Sequence, residues 1–522
     1  MITSIERQSI LRAHPHWLRN ILRGIEKEGL RVDAGGQLAR TPHPVALGAA
    51  LTNPHITTDY SEALLELITG TQQRAETVIE ELLDTHSYAA RRIEGEIVWN
   101  QSMPAHLPSE ADIPIAWYGT SNSGMLKHVY REGLAWRYGK VMQCIAGVHY
   151  NFSLPEAAWE DLVYEGNTPQ QRRNTGYMAL IRNFVRYAWM LMYLFGASPA
   201  VSRSFLQRTG LESQLERIEA DTYIMPWATS LRMTDLGYKS PIQSELELCY
   251  NDLDTFMVRI YDAVTTAWPE YERLGTKRDG KWIQLNTSIL QIENEYYSSI
   301  RPKQVTGRCE RPTTALMQRG IQYVEARCLD IDPESPSGIS VQTSRFMDAF
   351  LLFCASEDSP FFPVPGFCQD SQDNFSTVAR AGRTPGLQLM QDGQPIALQK
   401  WGVQLIDRIK PYAQLLDEAI GGSGYLESLE LQRTKFLDTS STPSARLVTQ
   451  LRDSGLSFHE WTLRQSQAHW ETLRARPMTP EKLDAYDQAA HQSLVDQARL
   501  EAGDQESFDD YVARFHGALT HP

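Results

Sequence analysis

Cysteine is scarce in this chain. Six cysteines (Cys144, Cys249, Cys309, Cys328, Cys354 and Cys368) are spread over 522 residues, and none form a C-x-x-C pair. That removes the zinc and thioredoxin signatures, and so low a density is not a disulfide scaffold. A reduced cytoplasm is the expected setting. The first seven residues lack a basic segment followed by an apolar core, so no secretory leader is expected. Long hydrophobic runs are missing too. The longest, about residues 187–197, is well short of the ~20 residues that span a bilayer, and predicts a buried core helix. Positive charge is in deficit: 50 Lys and Arg stand against 64 Asp and Glu, a formal net charge of −14. Nucleic acid and anionic membrane both reward clustered cations, so neither is expected as the main partner. There is no G-x-x-x-x-G-K-[ST] loop and no G-x-G-x-x-G fingerprint. Repeats and low-complexity tracts are also lacking.

What is present is alternation and helical spacing. In 148–153 the polar His149, Asn151 and Ser153 fall on one strand face and Val148, Tyr150 and Phe152 on the other. In 323–328 Glu325 and Arg327 share a face opposite Val324, Ala326 and Cys328. Residues 290–297 read as a strand that aligns Gln291, Glu293, Glu295 and Tyr297. Glu26 and Glu28, two apart in a strand, also point the same way. The apolar spacing of 61–69 predicts a helix, 127–138 another, and the chain from about Leu398 is mostly helical and polar. The breaks at 33–36, 381–386 and 421–424 are too short for interdomain linkers. The expectation is an α+β fold in one domain, 1–522, with a mostly helical C-terminal part from about residue 370. Its sheet packs an apolar face on helices and lines a cavity with a polar one.

The acidic residues carry the chemistry. Glu26 and Glu28 alone fit a solvent-facing edge strand. Thr58 or Asp59 could cap a helix with Glu62 as the reciprocal partner, a structural role. Glu66 lies among Leu64, Leu65, Leu67 and Ile68, where a carboxylate wants a partner or a cation. His149 alone fits a hydrogen-bonded structural histidine, and Glu325 with Arg327 a surface pair. Convergence changes this reading. Two like charges ~5 Å apart repel by roughly 3 kcal/mol at an effective dielectric of ~20. A meeting of Glu26, Glu28, Asp59, Glu66 and Glu325 therefore calls for divalent cations, and oxygen ligands suit Mg²⁺. The site we expect has Mg²⁺ presenting ATP phosphates to a carboxylate substrate. The 119–124 loop, rich in Gly, Ser, Thr and Asn, precedes Lys127, Tyr130, Arg131 and Arg137 and could offer N–H groups to an anion. Arg301 and Lys303, placed after the 290–297 strand, could reach phosphates.

Seven segments then resemble one family: 24–32 (GIEKEGLRV), 49–69 (with TTDYSEALLELIT), 118–139 (YGTSNSG and YREGL), 147–155 (GVHYNFSLP), 228–238 (ATSLRMTDLGY), 291–303 (QIENEYYSSIRPK) and 323–333 (YVEARCLDIDP). They look like bacterial glutamate–cysteine ligase of the proteobacterial type, in family order. They cover most of the chain to about residue 333, and the last third resembles the family more loosely. The resemblance implies ATP-dependent formation of γ-glutamylcysteine from L-glutamate and L-cysteine. It implies a curved, mostly antiparallel sheet forming a funnel, related to glutamine synthetase, in a monomer. It puts Glu26, Glu28, Asp59, Glu66, His149 and Glu325 around Mg²⁺, with Mn²⁺ as an alternative ion. Arg232 and Arg327, with Glu325, fall at the transferred phosphate, and Arg301 and Lys303 at ATP. Tyr60, Tyr130, Gln143, Tyr238 and Tyr297 fall on the cysteine side. One position departs: Tyr60 stands where a phenylalanine is familiar. Two other readings stay open, a carboxylate–amine ligase with another acceptor and a non-catalytic ATP-binding sensor.

Overall fold

A computed structural model describes residues 3–206, 212–237, 246, 248–307, 310–363, 366 and 368–522. Among these, seven strands form one sheet: β1 (Leu22–Asp33), β2 (Ile56–Thr58), β3 (Leu64–Ile68), β4 (Glu96–Val98), β5 (Val148–Ser153), β6 (Ile300–Lys303) and β7 (Tyr323–Leu329). The spatial order is β6-β7-β5-β1-β3-β2, with β4 on the far end of β1. Every pairing is antiparallel. The α+β class expected from alternation is therefore what is seen.

The helices used below are α1 (Ala75–Arg92), α2 (Asn122–Tyr138), α3 (Pro169–Phe195), α4 (Leu253–Thr265), α5 (Pro312–Arg319), α6 (Val341–Ser356), α7 (Leu398–Ile420), α8 (Gly424–Leu437), α9 (Phe458–Ala475), α10 (Pro480–Gly503) and α11 (Phe508–Gly517). α3 starts at a capping box of Thr168 and Gln171, with Pro169 in its first turn. It runs beneath β6 and β7, while α1 lies beneath β1 and β3. The apolar run at 187–197 forms the buried end of α3 and the residues after it. No described helix is long and apolar enough to cross a membrane. Residues after 398 are largely helical, as expected.

Alternation sets the two faces of β1. Arg23, Ile25 and Lys27 point at the helices, and Glu26 and Glu28 at the other side. Arg23 reaches Asp348 of α6 at 3.0 Å, both side chains fully buried, and Tyr150 Oη donates to the same carboxylate at 2.8 Å. Three hydroxyl and guanidinium donors thus satisfy a carboxylate that would otherwise be costly there.

Three expected elements are corrected. Residues 61–69 are not a helix; Leu64–Ile68 is a strand held between β1 and β2. A short apolar run buried on both faces has the composition of either element, and the pairing decides it. Glu62 consequently caps no helix and accepts from His43 N (2.8 Å) and Trp117 N (2.7 Å), still a structural role. Residues 290–297 are not a strand but a loop with one 3₁₀ turn, Glu293–Glu295. Their alternating polar side chains are buried ties. Glu293 accepts from Arg311 at 3.0 and 2.9 Å, and Glu295 from Tyr138 Oη at 2.7 Å. Ile300–Lys303, expected to follow a strand, is itself the edge strand β6. Its Pro302 lacks an N–H, which an edge tolerates.

Candidate active site

Antiparallel register brings the acidic motifs together. Glu26 stands opposite His149, Glu28 opposite Glu66, and Glu325 opposite Asn151. Residues directly opposite in such a ladder share a face. Ligand atoms of Glu26, His149 and Glu325 all lie within 4.8 Å of one another. His149 is 3.4 Å from Glu26, 3.5 Å from Glu28 and 3.6 Å from Glu325. Asp59 reaches the group from the loop after β2, where Tyr118 Oη donates to its carbonyl at 2.9 Å and the Arg131 guanidinium also donates to it.

The charges are unevenly held. Burial pushes the Glu66 carboxyl well up, and the charges of Glu26, Asp59 and Glu28 push it further. Burial also raises Glu28, against the pull of His149. At Glu26 burial acts upward, but the hydrogen bond with His149 and the charges of His149 and Lys303 together outweigh it and the carboxyl sits low. Glu325 is 1 % exposed, yet its carboxyl is held well below the ordinary range. Lys303 at 3.4 Å and Arg327 at 3.0 Å overcome its burial. The cluster thus grades from a carboxyl pushed up at Glu66 to one held low at Glu325 beside the cations.

Beside the cluster lies a cavity of ≈ 120 Å³. Glu28, Asp59 and His149 form its acidic wall, Arg232, Arg301 and Arg327 its cationic wall, and Tyr60, Tyr130, Gln143 and Tyr297 its remaining side. Four of the five residues expected on the acceptor side are therefore gathered there; Tyr238 lies outside the described residues. Arg232 is tied to β7, donating to Arg327 O at 2.7 Å and Leu329 O at 3.3 Å, so it braces the strand that carries Glu325 and Arg327. Tyr60 is 1 % exposed and its hydroxyl has no partner among the described residues. Lys303 lines a neighbouring cavity instead, ≈ 330 Å³, which also takes in Arg301, Asn294, Phe256, Ile260 and Leu316.

Sequence reasoning named Arg131 only as a cation near a possible anion loop and missed Leu134 and Tyr138; all three join Tyr130 in the cavity wall. The signal was available: Leu134 and Tyr138 recur at helical spacing on α2, one turn and two turns from Tyr130, and Arg131 is the next residue. It also missed Glu295, a lining residue although the strand reading set it on the same face as Tyr297. The 119–124 loop does not await a ligand anion. Thr120 N donates to Glu501 at 2.8 Å and Asn122 N donates to Asp504.

Comparison with known proteins bears on the same segments. A family model described as glutamate–cysteine ligase matches residues 8–378. A glutamate–cysteine ligase of Bordetella parapertussis is 60 % identical over 520 residues, covering 100 % of this chain and 98 % of the relative. One of Azotobacter vinelandii is 53 % identical over 97 % of this chain and 96 % of its own length. The crystal structure of a Francisella tularensis glutamate–cysteine ligase in complex with AMP superposes with a TM-score of 0.89. It shares 36 % identity over 95 % of this chain and 98 % of that one.

Proposed function

The chain belongs to the glutamate–cysteine ligase family, and we propose that its cavity joins the γ-carboxylate of L-glutamate to the amine of L-cysteine, driven by ATP, in the first step of glutathione synthesis. The observation that carries this reading is the meeting of acidic cluster and arginine wall at one cavity. We also read the sheet as the wall of a funnel related to glutamine synthetase.

The donor set fits Mg²⁺. It is mostly carboxylate oxygen, it is crowded, and Glu325 Oε2 is buried with no hydrogen bond among the described residues, the Lys303 ammonium standing 3.4 Å away. Glu26, Glu28, Asp59, Glu66, His149 and Glu325 would hold it. Bound Mg²⁺ supplies positive charge that neutralises ATP phosphates. The larger cavity between β6, α4 and α5 suits the base of ATP, since Phe256, Ile260 and Leu316 give it apolar walls. Arg301 lines both cavities and Lys303 points at Glu325, which suits them to the phosphate chain between.

A free carboxylate is a poor acylating agent, so activation comes first. A γ-carboxylate oxygen of glutamate attacks the γ-phosphorus, ADP leaves, and γ-glutamyl phosphate forms. The amine of cysteine then attacks the carbonyl carbon and phosphate leaves. Arg327, its charge fixed beside Glu325, stabilises the transferring phosphoryl group. Arg232 keeps that arginine's strand in place. Tyr60, Tyr130, Gln143 and Tyr297, with Tyr238, form the acceptor side.

The test is ADP release from purified protein with Mg²⁺, ATP and glutamate, with and without cysteine, with mass detection of product. Cysteine-dependent ADP and a γ-glutamylcysteine mass are expected. ADP without that dipeptide would transfer the reading to another acceptor, which the Tyr60 hydroxyl, without a partner among the described residues, favours as the alternative. No ADP from folded protein would overturn ligation and leave a sensor.

A further inference from the structure

The family model ends at residue 378, yet the back of the acceptor wall is built from the last 22 residues of the chain. α2 supplies Tyr130, Arg131, Leu134 and Tyr138 to the cavity. Its own first turn contains no acidic residue, although a helix N-terminus with free N–H groups attracts negative charge. The segment 501–506 provides it, with Asp504 at the first helical residue, Asn122, and Glu501 at Thr120, just before the Ser121 cap. Glu501 accepts from Thr120 N, Asp504 accepts from Asn122 N, and Glu506 O accepts from Asn122 Nδ2 at 3.0 Å. Gly119 has φ +82°, and a Cβ there would collide with Glu501 and Gln497, so the approach depends on glycine. Further along, Val512 and Phe508 of α11 pack with Val129, Met125 and Tyr130 of α2. One segment thus holds α2 at its N-terminus and along the flank that carries Val129 and Tyr130.

We propose that residues 501–512 are a positioning strap: Glu501 and Asp504 serve as the built-in anions of α2, and with Val512 they set where Tyr130 and Arg131 stand in the site. The assignment of Tyr130 to the cysteine side rests on the function proposed above. The strap itself rests only on the hydrogen bonds and packing between 501–512 and the α2 region. Asp504 and Glu501 line no part of the cavity, so they act through α2.

The experiment compares the full-length Glu501→Ala/Asp504→Ala double variant with wild type. KM for cysteine, glutamate and ATP and kcat are measured under saturating co-substrates, with circular dichroism and melting to verify folding. Loss of two charges at a helix terminus predicts a rise of about threefold to tenfold in one substrate KM. ATP KM stays within about twofold, because Arg301 and Lys303 lie on another element. Asp504→Asn, which keeps the acceptor oxygen, recovers part of the loss. Asp496→Ala, a half-buried α10 carboxylate paired, among the described residues, only within its own helix to Gln492 and Arg499, changes nothing. A selective rise for cysteine supports both the strap and the acceptor assignment. A selective rise for glutamate supports the strap and overturns that assignment. Unchanged constants, or a fall in kcat alone with all KM values fixed, would overturn the strap. Should the double variant unfold, Val512→Ala tests the same contact by the same constants.

Discussion

Replacing Glu325 by glutamine removes one charge while keeping the side-chain shape. Glu325 is 1 % exposed, with Arg327 at 3.0 Å and Lys303 at 3.4 Å. At an effective dielectric of ~20, losing those two attractions forfeits about 10 kcal/mol. Relief of repulsion from Glu26 returns about 3 kcal/mol and relief of carboxylate desolvation several more. The net cost is about 3 kcal/mol, at the low end for a broken buried pair. A chain of this size should tolerate it with a melting temperature a few degrees lower. Activity should respond far more, because the amide cannot serve as an anionic ligand and no longer fixes the charge of Arg327. Removal of one such positioned group lowers kcat by about 10²–10³-fold. The assay is cysteine-dependent ADP release at saturating Mg²⁺, with circular dichroism on the same sample. A folded variant that turns over within about threefold of wild type would refute the reasoning, and the acidic cluster would then be structural.

Three other outcomes are expected. Tyr60→Phe removes a buried hydroxyl that has no partner among the described residues, so it should stabilise the free protein by about 1 kcal/mol in denaturant unfolding and shift the kcat/KM ratio between cysteine and serine-like acceptors. Arg232→Lys loses the fork that holds two β7 carbonyls, so kcat should fall about tenfold or more with ATP KM nearly constant, as steady-state kinetics would register. Lys435 is buried and donates to Leu194 O at 2.7 Å; burial lowers its ammonium to about 7 despite the pull of Asp332. Between that value and the ordinary lysine range the unfolded chain binds more protons than the folded one, so stability rises with pH. Wild type should therefore gain stability relative to Lys435→Met as pH increases from 7 to about 10, measured by denaturant unfolding at each pH. A flat difference would place the amine in water.

Much of the site was legible because its residues lie in strands. A period of two puts Glu26 with Glu28 on one face, and His149 with Asn151 on another, whatever the neighbours are. The resemblance of seven motifs then pointed to the same positions. Residues 61–69 and 290–297 were read wrongly for physical reasons that sequence does not display. Leu64–Ile68 is a strand because β1 and β2 flank it, not because of its composition. The polar period at 291–295 served buried ties to Arg311, Tyr138 and Arg137, which lie far away in the chain. Arg131 escaped notice as a wall residue because its helix faces the cavity only after α2 is seated.

Local pattern by itself thus determined the faces of β1, β5 and β7, the acidic character of one face and the helical C-terminal part. Tertiary structure alone decided the register that sets Glu26 against His149 and Glu28 against Glu66, and the grading of charge from Glu66 to Glu325. It also decided that the loop before α2 is closed by Glu501 and Asp504. The reason is range. Side-chain direction along a strand follows from the covalent geometry of adjacent residues, whereas pairing, burial and the field at a carboxylate depend on groups that only folding brings within a few ångströms.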